Sequence, residues 1–380
     1  MPRRHLLAAP LLALTLSGLP ATGLAGECPR PGEWQHGSDA IPADTLMREL
    51  ASRRVVLLGE QHERQAHHRW QLHTLAALHA HQPAMAIGLE MLPRKAQPAL
   101  DAWVAGELDE AAFLSSSDWH QAWGYDPELY LPILHFARMN RIPLVALNVT
   151  PELRRRLSTQ GWEKVAPEER HGLTPPAPPS LDYVGVLSEI YARHPEGSEN
   201  PEGLERFIEA QLVWDRAMAE GLASAAERVP LVVGLMGEGH LRHGHGVPHQ
   251  LEDLGLRSHR TLLAWSAQRE CPPPEAVADV LFGLGDESRH EPEAPPRLGV
   301  LLVPNEAGIK IDRVAPASVA AASGLSEDDV IVLAAGRPLD TVGQLVAIIR
   351  RQPPGTLLPL EIVRDGEVRE ILARFPVDMP

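Results

Sequence analysis

Val55-Val56-Leu57-Leu58-Gly59-Glu60-Gln61-His62 is the stretch on which the fold turns. Its apolar run, half of it β-branched, reads as a strand buried on both faces, the habit of parallel sheets. Gly59 closes the run, and a carboxylate and an imidazole follow at once. The pattern returns down the chain. Ala84-Met85-Ala86-Ile87-Gly88-Leu89 ends in Glu90, and Ile142-Pro143-Leu144-Val145-Ala146-Leu147 ends in Asn148. Leu231-Val232-Val233-Gly234-Leu235-Met236 leads through Gly237-Glu238-Gly239 to His240. Open α/β sheets hold their ligands at the carboxyl ends of the strands. If these strands lie parallel in one sheet, Glu60, His62, Glu90, Asn148 and His240 crowd a single rim. The expected fold class is α/β, a mostly parallel sheet flanked by helices, followed by a small β-rich domain.

With 380 residues the chain has room for two domains, or one large and one small. A formal net charge of −15 argues against nucleic acid and anionic membrane surfaces as partners. Eighteen histidines against four tyrosines fit metal or haem handling. Arg3 and Arg4, the apolar run Leu6 to Leu19, and the small residues of Gly23-Leu24-Ala25 read as a secretory signal peptide over residues 1–25. Glu27 separates that site from Cys28, which counts against a lipoprotein anchor. Cys28 and Cys271, an even count in an oxidising compartment, permit a bridge.

Along the chain, Asp44 is a plausible N-cap for a helix over Thr45 to Arg53. A helix over Gln65 to His81 carries His67, His68, His73, His79 and His81, which read mostly as solvated surface groups. A tryptophan-rich turn covers residues 119–127. Pro132 belongs in a first helical turn, so Tyr130 sits at or just before the start of a helix running to Asn140. A long helix spans Pro201 to Ala226, with Gln211, Asp215 and Met218 on one face. Further strands are expected at Arg260 to Trp265 and Ala278 to Phe282. Residues 285–296 are charged and proline-rich, a semi-rigid linker between a domain over 26–284 and another over 297–380. In the latter, Leu298 to Val303, Gly308 to Val314 and Leu357 to Val363 read as strands, and Gln344 to Arg351 as a helix.

Two chemistries suit the rim. Glu60, His62, Glu90 and His240 offer enough donors for a divalent metal, and a metal with an open position activates water for hydrolysis. The same four groups could instead satisfy one another. Separately, a tyrosine phenolate suits ferric iron and can hold a haem from one face. Tyr130 has apolar neighbours Leu129, Leu131, Ile133 and Leu134, with tryptophans nearby, although an ordinary core tyrosine has the same surroundings.

The runs VVLLGEQHERQAHHRWQL, AIGLEMLPRKAQPALDAWVAGELDE, WGYDPELYLPILHFARMNRIPLVALN, QLVWDRAMA and GEGHLRHGHGVPHQL, in that order, resemble the ChaN-type haem-binding uptake family of the Tiki-like superfamily. The resemblance implies an α/β fold and a bacterial protein that binds ferric b-type haem during iron uptake, in the periplasm or at the outer membrane. It implies a homodimer holding two cofacial haems, with one tyrosine per protomer on iron and a histidine and a lysine of the other protomer on the propionates. Mapped here, Tyr130 is the first choice of iron ligand and Tyr125 the second. Lys95 is the propionate lysine, and His62 and His240 are the candidate histidines. The GxxH, strand-end Glu and late His positions are also similar to Tiki-type proteases and erythromycin esterase-like hydrolases. That gives the alternative of a metal-dependent hydrolase using Glu60, His62, Glu90 and His240.

The tail resembles a bacterial PDZ domain through Leu298-Gly299-Val300, residues 314–320 and residues 323–331. Leu298, Gly299 and Val300 would form the loop that takes a peptide carboxylate, with Leu345 and Ile348 flooring the groove and an unidentified protein's C-terminus as partner.

Overall fold

The structure, a computed structural model, describes residues 28–193, 201–266, 269–271, 273–285 and 296–377. The expected signal peptide and most of the expected linker lie outside the described residues.

A short hairpin, β1 (Trp34–His36) and β2 (Asp39–Ile41), precedes α1 (Ala43–Leu50) and the central strand β3 (Val55–Glu60). There follow α2 (Gln65–His81), β4 (Met85–Pro93), α3 (Gln97–Ala105), α4 (Glu110–Ser116), α5 (Trp119–Ala122), α6 (Leu131–Asn140) and β5 (Leu144–Asn148). The helices α7 (Pro151–Gln160), α8 (Leu181–Ala192) and α9 (Pro201–Ala226) lead to β6 (Leu231–Gly237), α10 (Val247–Asp253), β7 (His259–Ser266) and β8 (Val280–Leu284).

The sheet order is β2-β1-β8-β7-β3-β6-β4-β5. From β8 to β5 every pairing is parallel, and only the hairpin joins antiparallel. Successive residues of a strand face opposite sides of its sheet. Val56 and Leu58 accordingly pack with α1, α2, α3 and α6 in one core, and Val55 and Leu57 with α9 and α10 in another. Both faces are covered, which is why β3 reads as an unbroken apolar run. Its neighbours are β6 and β7, consecutive strands that lie on opposite sides of it. The chain therefore reverses its direction of winding beside β3, and the crevice at such a reversal is where ligands sit.

Some elements differ from expectation. The first helix begins at Ala43 with Pro42 in the cap position, because proline's fixed φ suits a helix entry. The β1–β2 hairpin went unforeseen, since three residues are too few to display an alternation. Cys28 and Cys271 are bridged, with Cα atoms 5.6 Å apart, which fastens the chain ahead of β1 to the segment between β7 and β8.

The tail is a separate antiparallel domain with its own core. It contains β9 (Val300–Asn305), β10 (Gly308–Val314), α11 (Val319–Ala322), β11 (Val330–Ala334), β12 (Arg337–Pro338), α12 (Val342–Arg350), β13 (Leu357–Arg364) and β14 (Glu367–Arg374). The order is β14-β13-β11-β10-β9, with β12 on β11, so β9 is an edge strand. Thr341 and Gln344 form a capping box that fixes the start of α12.

Candidate functional site

The strand ends do converge. Glu60, last residue of β3, is 1% exposed, and a phenol and two imidazoles surround its carboxylate. The Tyr130 hydroxyl donates to Oε1 at 2.7 Å, His62 Nδ1 lies 2.9 Å from the same oxygen, and His68 Nδ1 lies 3.1 Å from Oε2. Burial alone would raise the Glu60 carboxyl, but His68 and His62 hold it well below the usual carboxylate range. Both imidazoles are raised in turn: burial pulls each down, and Glu60 offsets it together with Glu90 at His62 and with the His62 backbone and Gln71 at His68.

A second cluster stands beside the first. Glu90, on β4, accepts the Gly237 N–H at 2.6 Å and faces His240 Nε2 at 3.4 Å. His240 Nδ1 lies 2.6 Å from Asp215 Oδ1 on α9, with the Gln211 amide 3.1 Å from the same nitrogen. The Tyr183 hydroxyl donates to the other Asp215 oxygen at 2.8 Å. Burial works against a charged His240, yet Glu90 and Asp215 carry it up to about 10. Burial pushes the Asp215 carboxyl up, against the pull of His240 and Tyr183. Gly237 joins the clusters: a Cβ there would lie 2.9 Å from His62 Cε1 and 3.6 Å from Glu90 Oε2. Asn148 braces the rim by donating to the Glu90 backbone carbonyl at 2.8 Å.

Above these buried charges lies an aromatic mouth. The His62 ring is 4.7 Å from Trp123 and 5.0 Å from Tyr125, and Trp123 and Tyr125 are 5.2 Å apart, centroid to centroid. Tyr125 is half-buried, and its hydroxyl has no hydrogen-bond partner among the described residues. Burial and the carboxylates of Glu63, Glu90 and Glu60 push its phenol up. Lys95 is exposed on the turn after β4, with Nζ 3.7 Å from Asp118. Tyr130 lies beneath, 2% exposed and packed on His68, Trp119 and Trp123.

The geometry separates the two tyrosines by depth. The Tyr130 hydroxyl donates to Glu60 inside the core, and burial together with the Glu60 carboxylate opposes formation of the phenolate that iron would need. Tyr125 is the tyrosine that faces outward. His240 is likewise buried between two carboxylates, whereas the His62 side chain is 25% exposed, with Nε2 beside the bare backbone of Gly237. For the metal alternative, no group of three or more His, Cys, Asp or Glu side chains among the described residues is arranged to hold an ion. Glu60, His62, Glu90 and His240 are neighbours, but their carboxylates are turned onto imidazoles.

Sequence reasoning missed His68, read as a surface group, and underrated Asp215. The signal for His68 was its position in the first turn of α2, immediately after the strand end bearing Glu60. His67 beside it is buried and neutral: burial lowers it to about 4, and the Gln61 backbone N–H donates to its Nδ1 at 3.3 Å.

In the tail a groove of about 510 Å³ runs between β9 and α12, lined by Leu298, Gly299, Val300, Val346 and Ile349 among others. Of the residues expected to floor it, Leu345 is buried in the domain core and Ile348 packs against that core; Val346 and Ile349, the latter also part of the core, line the groove. Ala315 N–H donates to the Gly299 carbonyl at 2.9 Å and Ala320 N–H to that of Leu298 at 2.8 Å. A trans peptide points its N–H opposite to its C=O, so the N–H groups of Gly299 and Val300 are aimed the other way.

Residues 46–251 match the family described as haem-binding uptake, Tiki superfamily, ChaN. The chain belongs to that family, and residues 296–373 match the PDZ domain. Among solved structures, the chain is similar to ChaN of Campylobacter jejuni, solved with cofacial haem, at 18% identity and a TM-score of 0.53. That match covers 64% of this chain and 92% of the other. The HtrA3 PDZ domain bound to a phage-derived ligand matches at 24% identity and a TM-score of 0.19, over 20% of this chain and 82% of that one. The HtrA-type protease AlgW with a decapeptide matches at 21% identity and 0.21, over 23% and 30%. No curated protein sequence matches the chain.

The raised His240 has a thermodynamic consequence. A group raised on folding contributes fully below its unfolded value, about 6.5, and loses that contribution as pH climbs through its folded value. Urea unfolding should therefore show wild-type stability falling between about pH 6.5 and about pH 10, by roughly 5 kcal/mol at most. The His240→Gln variant, less stable at neutral pH, should lack that component of the slope. A wild type as pH-dependent as the variant over this range would contradict the assignment.

Proposed function

We propose that the chain binds ferric haem at the aromatic mouth above Glu60 and Glu90, as cargo in bacterial haem uptake. Family membership supports the ligand, and Tyr125 supports the place. A half-open phenol with an unpartnered hydroxyl, walled by Trp123 and His62, is the donor that ferric iron prefers. In this reading Lys95, exposed on the turn after β4, and the partly exposed imidazole of His62 are the groups that receive propionates. His62, Trp123 and Tyr125 are each partly exposed on one chain, which fits two copies closing on a pair of haems. The bridged cysteines and the N-terminal sequence pattern support a periplasmic setting, with or without outer-membrane association. In this reading the tail domain docks the C-terminus of a partner protein.

Haemin titration followed by absorbance tests the reading. Wild type should give a high-spin ferric tyrosinate spectrum. Tyr125→Phe should abolish that spectrum and weaken binding at least about tenfold. Tyr130→Phe should keep the spectrum and lose about 1–3 kcal/mol of stability, because a buried acceptor on Glu60 loses its donor. The opposite pattern, with the spectrum lost in Tyr130→Phe and kept in Tyr125→Phe, would overturn the assignment.

A further inference from the structure

The groove between β9 and α12 carries a charge pattern of its own. Arg297, Arg313 and Arg350 all line it, and no carboxylate does. All three side chains belong to exposed residues, and none has an ion-pair partner among the described residues. The rest of the chain is strongly acidic, so this cationic lining is local. Around it the apolar walls of Leu298, Val300, Val346 and Ile349 suit a terminal aliphatic side chain, and edge strand β9 offers unpaired backbone to an added strand. We propose that the partner's C-terminal tail is acidic: an apolar last residue with its free carboxylate, preceded by Asp or Glu side chains that meet the three guanidinium groups. This rests on the docking reading above and names its partner class.

Fluorescence anisotropy with the full chain and labelled five-residue peptides tests it. The probes are Ala-Glu-Ala-Glu-Val, the same peptide with lysine for glutamate, and the acidic peptide with an amidated end. The acidic peptide should bind at least about tenfold tighter than the lysine one. That preference should shrink in high salt and in the Arg313→Glu, Arg350→Glu double variant. Equal binding of the acidic and lysine peptides, with amidation still damaging, overturns the acidic preference and leaves the docking reading standing. Binding indifferent to amidation, or no binding by any probe, overturns both.

A different observation carries a second inference. Gly343 and Ala347 of α12 and Arg351, which caps its end, repeat at helical spacing, adjacent to the stripe that lines the groove. Gly343 lies against α5, where a Cβ would stand 2.8 Å from His120 Cβ. Arg351 lies 2.9 Å from Glu128 and 3.4 Å from Asp126, the residue next to Tyr125. One short helix therefore borders the peptide groove and grips the segment that bears Trp119, Trp123 and Tyr125. These ion pairs are partly exposed, so the grip is weak and can be broken. We infer that a peptide in the groove shifts α12 and so changes the mobility of the aromatic segment, coupling the two sites. Hydrogen exchange of the full chain, with and without saturating acidic peptide, reads this without any haem. Amides of residues 118–129 should change their exchange rate in wild type and not in Arg351→Glu, which still binds the peptide. Exchange changes confined to residues 296–373 in wild type would overturn the coupling, and absence of peptide binding would overturn it together with the docking reading.

Discussion

Buried carboxylates facing buried imidazoles are the constraint on which this structure depends. Glu60 ends β3 and Glu90 lies near the end of β4, in a sheet covered on both faces, where an unpaired charge costs several kcal/mol. His62 and His68 answer the first, and His240 the second with help from Asp215. Removing one partner leaves its counterpart stranded, so the pairs fix the relative position of β3, β4, β6, α2 and α9. A sheet alone would align the strands. The ion pairs specify which side chains meet at their ends.

The mouth inherits its form from that base. His62 is held from below by Glu60 and from beside by the bare backbone of Gly237, so its ring stands in one orientation. Trp123 and Tyr125 lean on that ring. Tyr130 is the post between the layers: its ring packs under Trp123 and its hydroxyl reaches Glu60. The division of labour between the two tyrosines follows from depth. The buried phenol donates to Glu60, and the outer one has a hydroxyl without a hydrogen-bond partner among the described residues.

The fold was legible because its signals were long or repeated. β3, β4 and β6 each showed an apolar run closed by glycine or a polar group, and α2 and α9 begin and end where the sequence pattern placed them. The convergence of Glu60, His62, Glu90, Asn148 and His240 followed from strand polarity alone. What escaped was whatever depends on depth. A histidine on a helix reads the same whether it faces water, as His73 does in part, or a carboxylate, as His68 does. Tyr130 and Tyr125 have equally aromatic and apolar neighbourhoods in sequence, and only packing tells them apart. In the tail, Leu345 and Val346 are both apolar and one helical step apart, so the sequence does not tell which of them lines the groove and which enters the core.

The central claim, that ion pairs hidden beneath the mouth organise it, is read most directly by nitrogen-detected NMR of histidine-labelled apo protein across pH. The account predicts that His240 remains an imidazolium at pH 8, titrating only near 10. A neutral His240 at pH 8, titrating near the ordinary value of about 6.5, would contradict it.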